Sequence, residues 1–354
     1  PFRYDGIDDG TRWTVPVQIR TSSGRQRLLL PPAGEVMVQL DGALLTLNAD
    51  ASGFHRSDPP ATCNPVLLSA AERAVVVDDT WALVLAGTTD PSTFRDAAAR
   101  FADDRDLGVW QAIVRALATI DLVAPGHHVE FAGAAGHLLA GQLGGLGWAP
   151  GIDEDDRTRQ LRGLVLSAAG TLADDEAVVA EARSRWDDSR LDDPAVAAAV
   201  ISVVAAHGDG DTFSECRRRF READNAQAEQ RHLHALARFP GLPQVEEVME
   251  MALSGDVRSQ DAPFLLRQAL HHRHHRSLVW QVVTDNWGDL TTRLPSNSIA
   301  RMLEGVRALV DPDVEPGVDA FLDEHPVPQG ALMVAQHRER RLVNVSLARR
   351  LRPS

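Results

Sequence analysis

The stretch Leu44-Leu45-Thr46-Leu47-Asn48-Ala49-Asp50-Ala51-Ser52-Gly53-Phe54-His55-Arg56 separates two kinds of sequence. Its apolar run 44–47 is typical of a β-strand, and residues 48–53 are rich in the Asn, Asp, Ser and Gly that favour turns. Short β-like runs precede the stretch, and helical patterns fill almost all of the sequence after it. It therefore predicts a junction between a small β module and a long helical region.

The β signals are confined to residues 1 to about 60. Pro16 lies inside the first alternating run, which indicates an edge strand because proline has no N–H to donate to a neighbouring strand. Gly24 and Asp41-Gly42 mark turns between runs. The predicted strands are 13–20, 25–30, 35–40 and 44–47. Four or five such strands predict a small antiparallel β-sandwich that buries little apolar surface alone.

Helix start signals dominate the remaining chain. Residues 63–68 resemble a linker, and Ser69-Ala70-Ala71-Glu72 is a capping box, in which the Ser and Glu side chains each bind a free backbone amide. Further starts are predicted at Asp90-Pro91, Asp193-Pro194 and Asn297. About a dozen or more helices follow one another with short connections.

Consecutive helices without strands favour a bundle or a stacked array, and no strict repeat period is present. The predicted fold class is mainly α. We expect a small N-terminal antiparallel β-sandwich domain at residues 1–62 and a helical C-terminal domain at residues 63–354. The second domain is predicted to be a HEAT-like α-helical superhelix, an α-solenoid curved into a bowl.

The composition narrows the class of protein. The chain has 354 residues, 44% of them hydrophobic, and a net charge of −14, which argues against a nucleic-acid partner. No apolar run approaches the roughly 20 residues that span a bilayer, so no membrane partner is expected. Cys63 and Cys216 are far apart, which favours a reducing, cytoplasmic compartment over a disulfide framework. Because residue 1 is Pro, we infer a piece of a longer polypeptide.

Two histidine clusters are candidate metal sites. His271 and His275 in His271-His272-Arg273-His274-His275 are spaced i, i+4, so on a helix they share a face, as metal-binding pairs do. The sequence has no HExxH motif and no carboxylate at a suitable offset. We therefore interpret 271–275 as a solvated helix–helix connection, with a metal site as the alternative. His127-His128 has the same weakness, and no metal ligand is predicted.

Other suggestive runs also have structural interpretations. The glycine-rich run 133–147 lacks the phosphate-loop pattern and follows no strand, which favours close helix packing and a helix end. An arginine cluster near the C-terminus favours a solvated helix end, with pairing to the acidic body as the alternative; it comprises Arg338, Arg340, Arg341, Arg349, Arg350 and Arg352. No Ser/His/Asp or Cys/His pattern is recognisable, so no catalytic residue is predicted.

Several segments resemble one family in that family's order. Besides Asn48–Arg56, they are Trp13-Thr14-Val15-Pro16-Val17, Leu68–Ala74 with Asp78–Leu83, Leu146-Gly147-Trp148 with Leu161-Arg162, Val257-Arg258-Ser259-Gln260-Asp261, Trp280 with Asn286-Trp287 and Leu290, and Phe321–Pro326. They resemble motifs in the C-terminal half of zinc aminopeptidases of the aminopeptidase N and puromycin-sensitive type. His55 departs from the usual Tyr of that family, and Pro59 from an aromatic residue.

The resemblance implies what this chain lacks. The HExxH motif, a distant glutamate ligand and the GxMEN loop of the family are absent from the sequence, and the resemblance assigns them to an upstream domain. It implies that the chain alone binds no zinc and is not an enzyme. The parent protein would be a zinc metallopeptidase that removes N-terminal residues from peptides with a zinc-activated water.

The implied role is to close over the upstream catalytic domain of the same polypeptide, enclose a chamber and help bind peptide substrates. Arg258, Gln260 and Asp261 are the candidate substrate-binding residues, because Arg binds carboxylates with two parallel hydrogen bonds. The alternative is that Arg258 and Asp261 stabilise a helix junction internally. Competing functions are a free-standing helical-repeat scaffold for a protein partner and a hydrolase with an unrecognised site.

Overall fold

The computed structural model describes residues 10–32, 34–60 and 63–352. Near its start lies one antiparallel sheet of three strands, β1 (Val15–Thr21), β2 (Arg25–Leu30) and β3 (Leu44–Thr46), in the order β2-β1-β3. β1 and β2 pair from Val15↔Leu30 to Arg20↔Arg25. The predicted small antiparallel β element at the N-terminal end is confirmed.

The predicted strand at residues 35–40 is wrong, so the sheet has fewer strands than expected. These residues form no strand, and Met37 is 98% exposed. The carbonyl of Gln39 accepts a hydrogen bond from the side-chain amide of Gln26 at 3.1 Å. With hardly any of its side chains buried, the segment lacks the packing that stabilises a strand.

The edge-strand prediction for Pro16 is only half right. β1 is the middle strand of the sheet, but β3 pairs only with its last two residues, Arg20 and Thr21. Pro16 pairs with Leu29 of β2 on one side, and no described strand lies on its other side. The missing N–H of proline therefore removes no hydrogen bond from the β1–β3 ladder.

The junction after β3 is held by the Asn48 side chain. Its Oδ1 accepts from the Gly53 amide at 2.7 Å and its Nδ2 donates to the Gly53 carbonyl at 3.0 Å. Between them the chain forms a short 3₁₀ helix, Ala49–Ala51, in which Asp50 and Ala51 have positive φ angles of 56° and 55°. The turn predicted at residues 48–53 is confirmed.

Residues 63–68 form a short segment that is buried at its two ends. They contain a 3₁₀ helix, Pro65–Leu67, and Cys63 and Leu68 are only 1% and 4% exposed. The apolar side chains at both ends of this segment anchor it in the core. The predicted domain boundary between residues 62 and 63 stays a prediction, and residue 62 lies outside the described residues.

Two compact units emerge from the packing of the described chain. The first comprises Pro1–Ala118 with Leu138–Leu164, and the second Thr119–His137 with Val165–Ser354. The described residues form sixteen α-helices, which confirms the mainly α fold class. They are α1 Ala70–Ala86, α2 Pro91–Ala99, α3 Leu107–Val123, α4 His128–Leu146, α5 Asp156–Thr171, α6 Glu176–Asp187, α7 Pro194–Ala206, α8 Gly210–Arg221, α9 Ala226–Leu236, α10 Leu242–Ser254, α11 Ala262–Leu270, α12 Arg276–Asp285, α13 Trp287–Arg293, α14 Ser296–Met302, α15 Glu315–Glu324 and α16 Ala331–Leu351.

Most predicted helix starts are confirmed by their caps. Ser69 and Glu72 form the capping box of α1, and Asp90 and Asp193 cap α2 and α7, each followed by proline. Asn297 is wrong as a cap, because α14 begins one residue earlier, after Pro295, whose carbonyl accepts from the Ser298 amide at 2.8 Å. The HEAT-like character of the array stays a prediction.

Aromatic pairs fill the interior of each unit. In the first, Trp81 packs edge-to-face on Phe94, with ring centroids 5.1 Å apart. In the second, the side chains of two of the family-like motifs meet: Phe321 lies edge-to-face between Trp280 and Trp287 at 5.2 and 5.3 Å. Such pairs contribute on the order of 1 kcal/mol beyond the area they bury.

The membrane and disulfide expectations concern the helices and the two cysteines of the described residues. No single helix there is long and apolar enough to cross a bilayer; one bent pair, Leu107–Val123 with Pro125–Leu146, reaches that length and composition only jointly. Cys63 and Cys216 are both buried free thiols.

Candidate functional site

The predicted substrate-binding residues lie in the connection between α10 and α11. Arg258 donates from Nε to Asp261 Oδ2 at 2.7 Å and from its terminal amine to Glu229 Oε2 of α9 at 2.9 Å. The Asp261 hydrogen bond is the main cause that raises the pKa of Arg258. Gln260 is exposed beside them.

This geometry bears on the two interpretations of Arg258. Its side chain is 54% exposed, whereas Asp261 and Glu229 are 13% and 26% exposed. Two carboxylates already engage the guanidinium, as expected if Arg258 stabilises the junction. Substrate binding by Arg258, Gln260 and Asp261 stays a prediction.

The histidine-rich connection 271–275 lies between α11 and α12 as predicted, but it is not simply solvated. His272 is 6% exposed, its Nε2 bonds the Phe239 carbonyl at 3.0 Å, and its Nδ1 accepts from the amides of His274 and His275 at 3.1 Å. Burial lowers the pKa of His272 to about 4, so the ring is neutral near pH 7. The ring ties the start of α12 to the connection after α9.

His128 and its partners form a polar cluster that the sequence interpretation missed. Its Nδ1 lies 2.6 Å from Asp121 Oδ1 and its Nε2 lies 2.6 Å from Asp174 Oδ2. Arg273 donates to the other Asp121 oxygen at 2.8 Å and to the Thr171 carbonyl at 3.1 Å. Both ring nitrogens can donate only when the imidazole carries two protons.

The signal for that cluster is weak in the sequence. His128 and Asp121 are seven residues apart, but Asp174 and Arg273 are far along the chain. No local spacing predicts that these residues meet. The cluster joins several elements of the second unit.

The glycine-rich run and the C-terminal arginines have structural roles. Residues 133–146 lie within α4, and Gly147 ends it with a φ of +58°; a Cβ at Gly145 would clash with the Arg105 guanidinium. On α16, Arg341 is 1% exposed and pairs with Asp319, and Arg349 pairs with Glu315 at 2.8 Å. The alternative, pairing with the acidic body, therefore describes these arginines better than a solvated end.

Across residues 10–32, 34–60 and 63–352, no group of three or more His, Cys, Asp or Glu side chains is placed to hold a metal ion. In the His272 and His128 clusters the imidazole nitrogens are already occupied by protein hydrogen bonds.

Comparison with known proteins decides the family. The sequence profile of the ERAP1-like C-terminal domain matches residues 44–341, most of the chain. The chain belongs to the family of ERAP1-like C-terminal domains. The resemblance to the C-terminal region of zinc aminopeptidases, first seen in short motifs, is confirmed.

Curated relatives of this chain include proteins with aminopeptidase names. The chain is 22% identical to aminopeptidase 2 of Candida albicans over 81% of this chain and 33% of that protein. It is 25% identical to aminopeptidase M1 of Arabidopsis thaliana over 69% of this chain and 30% of that protein. It is 29% identical to tricorn protease-interacting factor F2 of Thermoplasma volcanium over 59% of this chain and 26% of that protein. The chain thus spans about a third of the length of the relatives it matches.

Proposed function

We propose that this chain is the non-catalytic C-terminal part of a zinc aminopeptidase and closes over the catalytic domain to enclose peptide substrates. The observation that carries the proposal is the family match over residues 44–341, with about a third of each relative covered. HExxH, the zinc-binding motif of many peptidases, does not occur in this sequence. In this proposal the zinc and the general base belong to another part of the polypeptide.

The second unit would contribute to binding peptides beyond their reacting end. Arg258 is the proposed contact, with Gln260 exposed beside it. Within the described residues, two of its guanidinium nitrogens have partners, Nε and one terminal amine. The other terminal amine is able to receive a peptide carboxylate while Asp261 and Glu229 hold the side chain in place.

The proposed compartment is the cytoplasm. Two buried free thiols in a 354-residue chain are typical of proteins kept in reducing surroundings. Cell fractionation of the native protein checks this part of the proposal, and recovery outside the cytoplasm would contradict it.

The proposal is tested by separating this chain from the sequence upstream of it in its gene. The two pieces are co-expressed with a protease site at their junction, cleaved, and analysed for association by size-exclusion chromatography. We expect the upstream piece to contain HExxH and to stay bound to this chain after cleavage. We also expect Arg258→Gln in the joined protein to raise KM for longer peptides while KM for a single-residue chromogenic substrate is unchanged.

Two results would contradict the proposal. An upstream sequence without HExxH favours the alternative, a free-standing scaffold that binds a protein partner. Cleaved pieces that separate at once and retain full selectivity for peptide length would show that this chain encloses no substrate. Asp285→Asn, on α12, is a surface change that controls for nonspecific effects on KM.

A further inference from the structure

The last helix, α16, is attached to the second unit through one buried histidine. His337 lies on α16 and is only 4% exposed. Its Nδ1 lies 3.2 Å from Nε of Arg307, in the 3₁₀ helix Leu303–Ala308, and its Nε2 lies 3.1 Å from the carbonyl oxygen of Ala300 on α14. The ring therefore joins α16 to two segments that precede it in the chain.

These two partners fix the protonation state of the ring. A guanidinium nitrogen only donates and a carbonyl oxygen only accepts, so Nδ1 of His337 is the unprotonated acceptor and Nε2 carries the single proton. Burial is the largest cause that lowers the pKa of His337 below the ordinary value of 6.5, and the charge of Arg307 acts in the same direction. The folded structure therefore requires the neutral ring.

The charged groups around this contact leave no room for a further positive charge. Arg307 also donates from a terminal amine to Glu304 Oε1 at 3.4 Å, and Arg267 of α11 donates to Glu304 Oε2 at 3.0 Å. On α16 itself, the neighbouring Arg338 donates to Asp319 at 3.1 Å. Two guanidiniums thus share the Glu304 carboxylate, and a proton on Nδ1 would add a third cation beside them.

The first turns of α16 have few other attachments. No side chain caps the start of the helix after Gly330, and Leu332 and Met333 are 76% and 37% exposed. Val334 and His337 are the first buried side chains of the helix. The packing of residues 331–340 therefore depends strongly on the His337 ring.

The second half of α16 is held by more contacts. Asn344 is 3% exposed, and its Nδ2 donates to the backbone carbonyl of Arg307 at 2.8 Å. Arg341 is 1% exposed and donates to the Glu315 carbonyl at 3.2 Å. A change at His337 is therefore expected to act on the first half of the helix before the second.

We propose that the His337–Arg307 contact is an acid-sensitive latch for residues 331–340. When a proton from solvent binds Nδ1, the ring no longer accepts from Arg307, and the two cations repel each other. The Arg307 side chain is 32% exposed, so its guanidinium has access to water once it leaves the ring. Residues 331–340 then open while the other helices stay folded. The latch does not depend on the proposed function.

The direction of the pH dependence follows from the neutral ring. The unfolded chain binds a proton on this histidine near the ordinary pKa of 6.5, whereas the folded chain, in which the pKa of His337 is lowered, does so only at lower pH. The contribution of the latch is therefore complete above pH 6.5 and is lost as pH falls below it.

The test is hydrogen exchange of the full chain, followed by mass spectrometry at pH 7 and pH 5 and corrected for the intrinsic exchange rate. We expect amides in residues 331–340 to exchange roughly tenfold faster or more at pH 5, because a hydrogen bond to a charged group is lost. The reference is α10, which belongs to the same unit and contains no histidine. Its exchange should accelerate much less.

His337→Asn separates the latch from other effects of acid. The asparagine carbonyl oxygen is an acceptor for Arg307 but does not titrate, so the acid response of residues 331–340 should disappear. His137→Asn makes the same change at an exposed histidine of α4 and is the matched control, which should keep the wild-type response.

NMR of the wild-type chain with ¹⁵N-labelled histidine gives a readout that needs no variant. At pH 7 the His337 signals should show a proton on Nε2 and none on Nδ1. The second proton should arrive over the same pH range in which residues 331–340 open.

Any of four results would overturn the latch. They are unchanged exchange of residues 331–340 at pH 5, an acceleration there no greater than that of α10, an acid response of His337→Asn as large as that of wild type, and a proton on Nδ1 of His337 at pH 7.

Discussion

At the scale of single residues, Glu72 does most to define the start of the helical region. Its carboxylate is buried, and it accepts from Arg20 Nε at 2.8 Å, the Ser69 amide at 2.8 Å and the Asp50 amide at 3.1 Å. Burial acts to raise the pKa of Glu72, but the Arg20 and backbone hydrogen bonds outweigh it and lower the pKa. One side chain thus joins β1, the turn after β3 and α1.

We predict that Glu72→Gln lowers the free energy of unfolding by about 3 kcal/mol, because it leaves Arg20 without its carboxylate and replaces the acceptor of one of the two amides by an NH₂ donor. Urea unfolding followed by circular dichroism measures the change. Asp96→Asn, in an exposed pair with Arg95 at 3.6 Å, is the control and should change stability by less than about 0.5 kcal/mol. Equal effects of the two substitutions would show that the Glu72 contacts contribute no more to stability than an exposed ion pair does.

His272 predicts a specific dependence of stability on pH. Burial lowers its pKa from 6.5 to about 4, so the unfolded chain binds a proton in this interval that the folded chain does not. The stabilisation is fully present above pH 6.5 and is lost as pH falls toward 4. The loss for this one residue is on the order of 3 kcal/mol.

Urea unfolding at pH 7 and pH 4.5 checks this expectation. Wild type should lose more stability over that interval than His272→Gln, since the variant lacks the titrating ring. His127→Gln, in the short connection before α4, is the matched control and should retain the wild-type slope. If His272→Gln also retains that slope, His272 does not titrate as its burial indicates.

Residue contacts that lie close in sequence were predictable, and distant ones were not. The Ser69–Glu72 capping box spans three residues and was read directly from the sequence. His128 meets Asp174 across 46 residues, and Arg273 meets Asp121 across 152. Such pairs depend on how helices pack, which the periodicity of a single sequence does not specify.

At the scale of elements, helix caps explain why the helical boundaries were largely predictable. The Asp193 carboxylate accepts from the amides of Ala195 and Val196 at 2.9 and 3.0 Å, and Pro194 occupies the first turn of α7. These interactions are local and favour one helix start over others. At residues 35–40 no comparable local interaction exists. The residues with a strand-like pattern have no described strand beside them to pair with.

We predict that Asp193→Ala lowers the free energy of unfolding by about 1 kcal/mol, because two amides of α7 lose their acceptor. Asp192→Ala is the control, since its exposed neighbouring carboxylate caps no helix. Thermal and urea unfolding of both variants measure the difference. A loss from Asp192→Ala as large as that from Asp193→Ala would trace the effect to net charge instead of to the cap.

At the scale of the whole molecule, composition and order of elements predicted the mainly α class, and family-like motifs predicted the relationship that the comparison confirms. Some of those motifs have packing roles: Phe321 stacks on His325 with centroids 4.1 Å apart, and Arg162 is buried beside Glu154. Side chains that pack in the interior can be recognised from a single sequence because they recur at the spacing of a helix. Ligand contacts are harder to predict, because nothing in the sequence around Arg258 indicates whether it holds a helix junction or binds a ligand.

The most direct test of the account is an aminopeptidase assay with added zinc, run on this chain and on the longer polypeptide of its gene. We predict release of N-terminal residues by the longer polypeptide and none by this chain. Activity of this chain alone would contradict it, because a catalytic site would then lie within these 354 residues. Inactivity of both proteins would contradict the proposed membership in a zinc aminopeptidase.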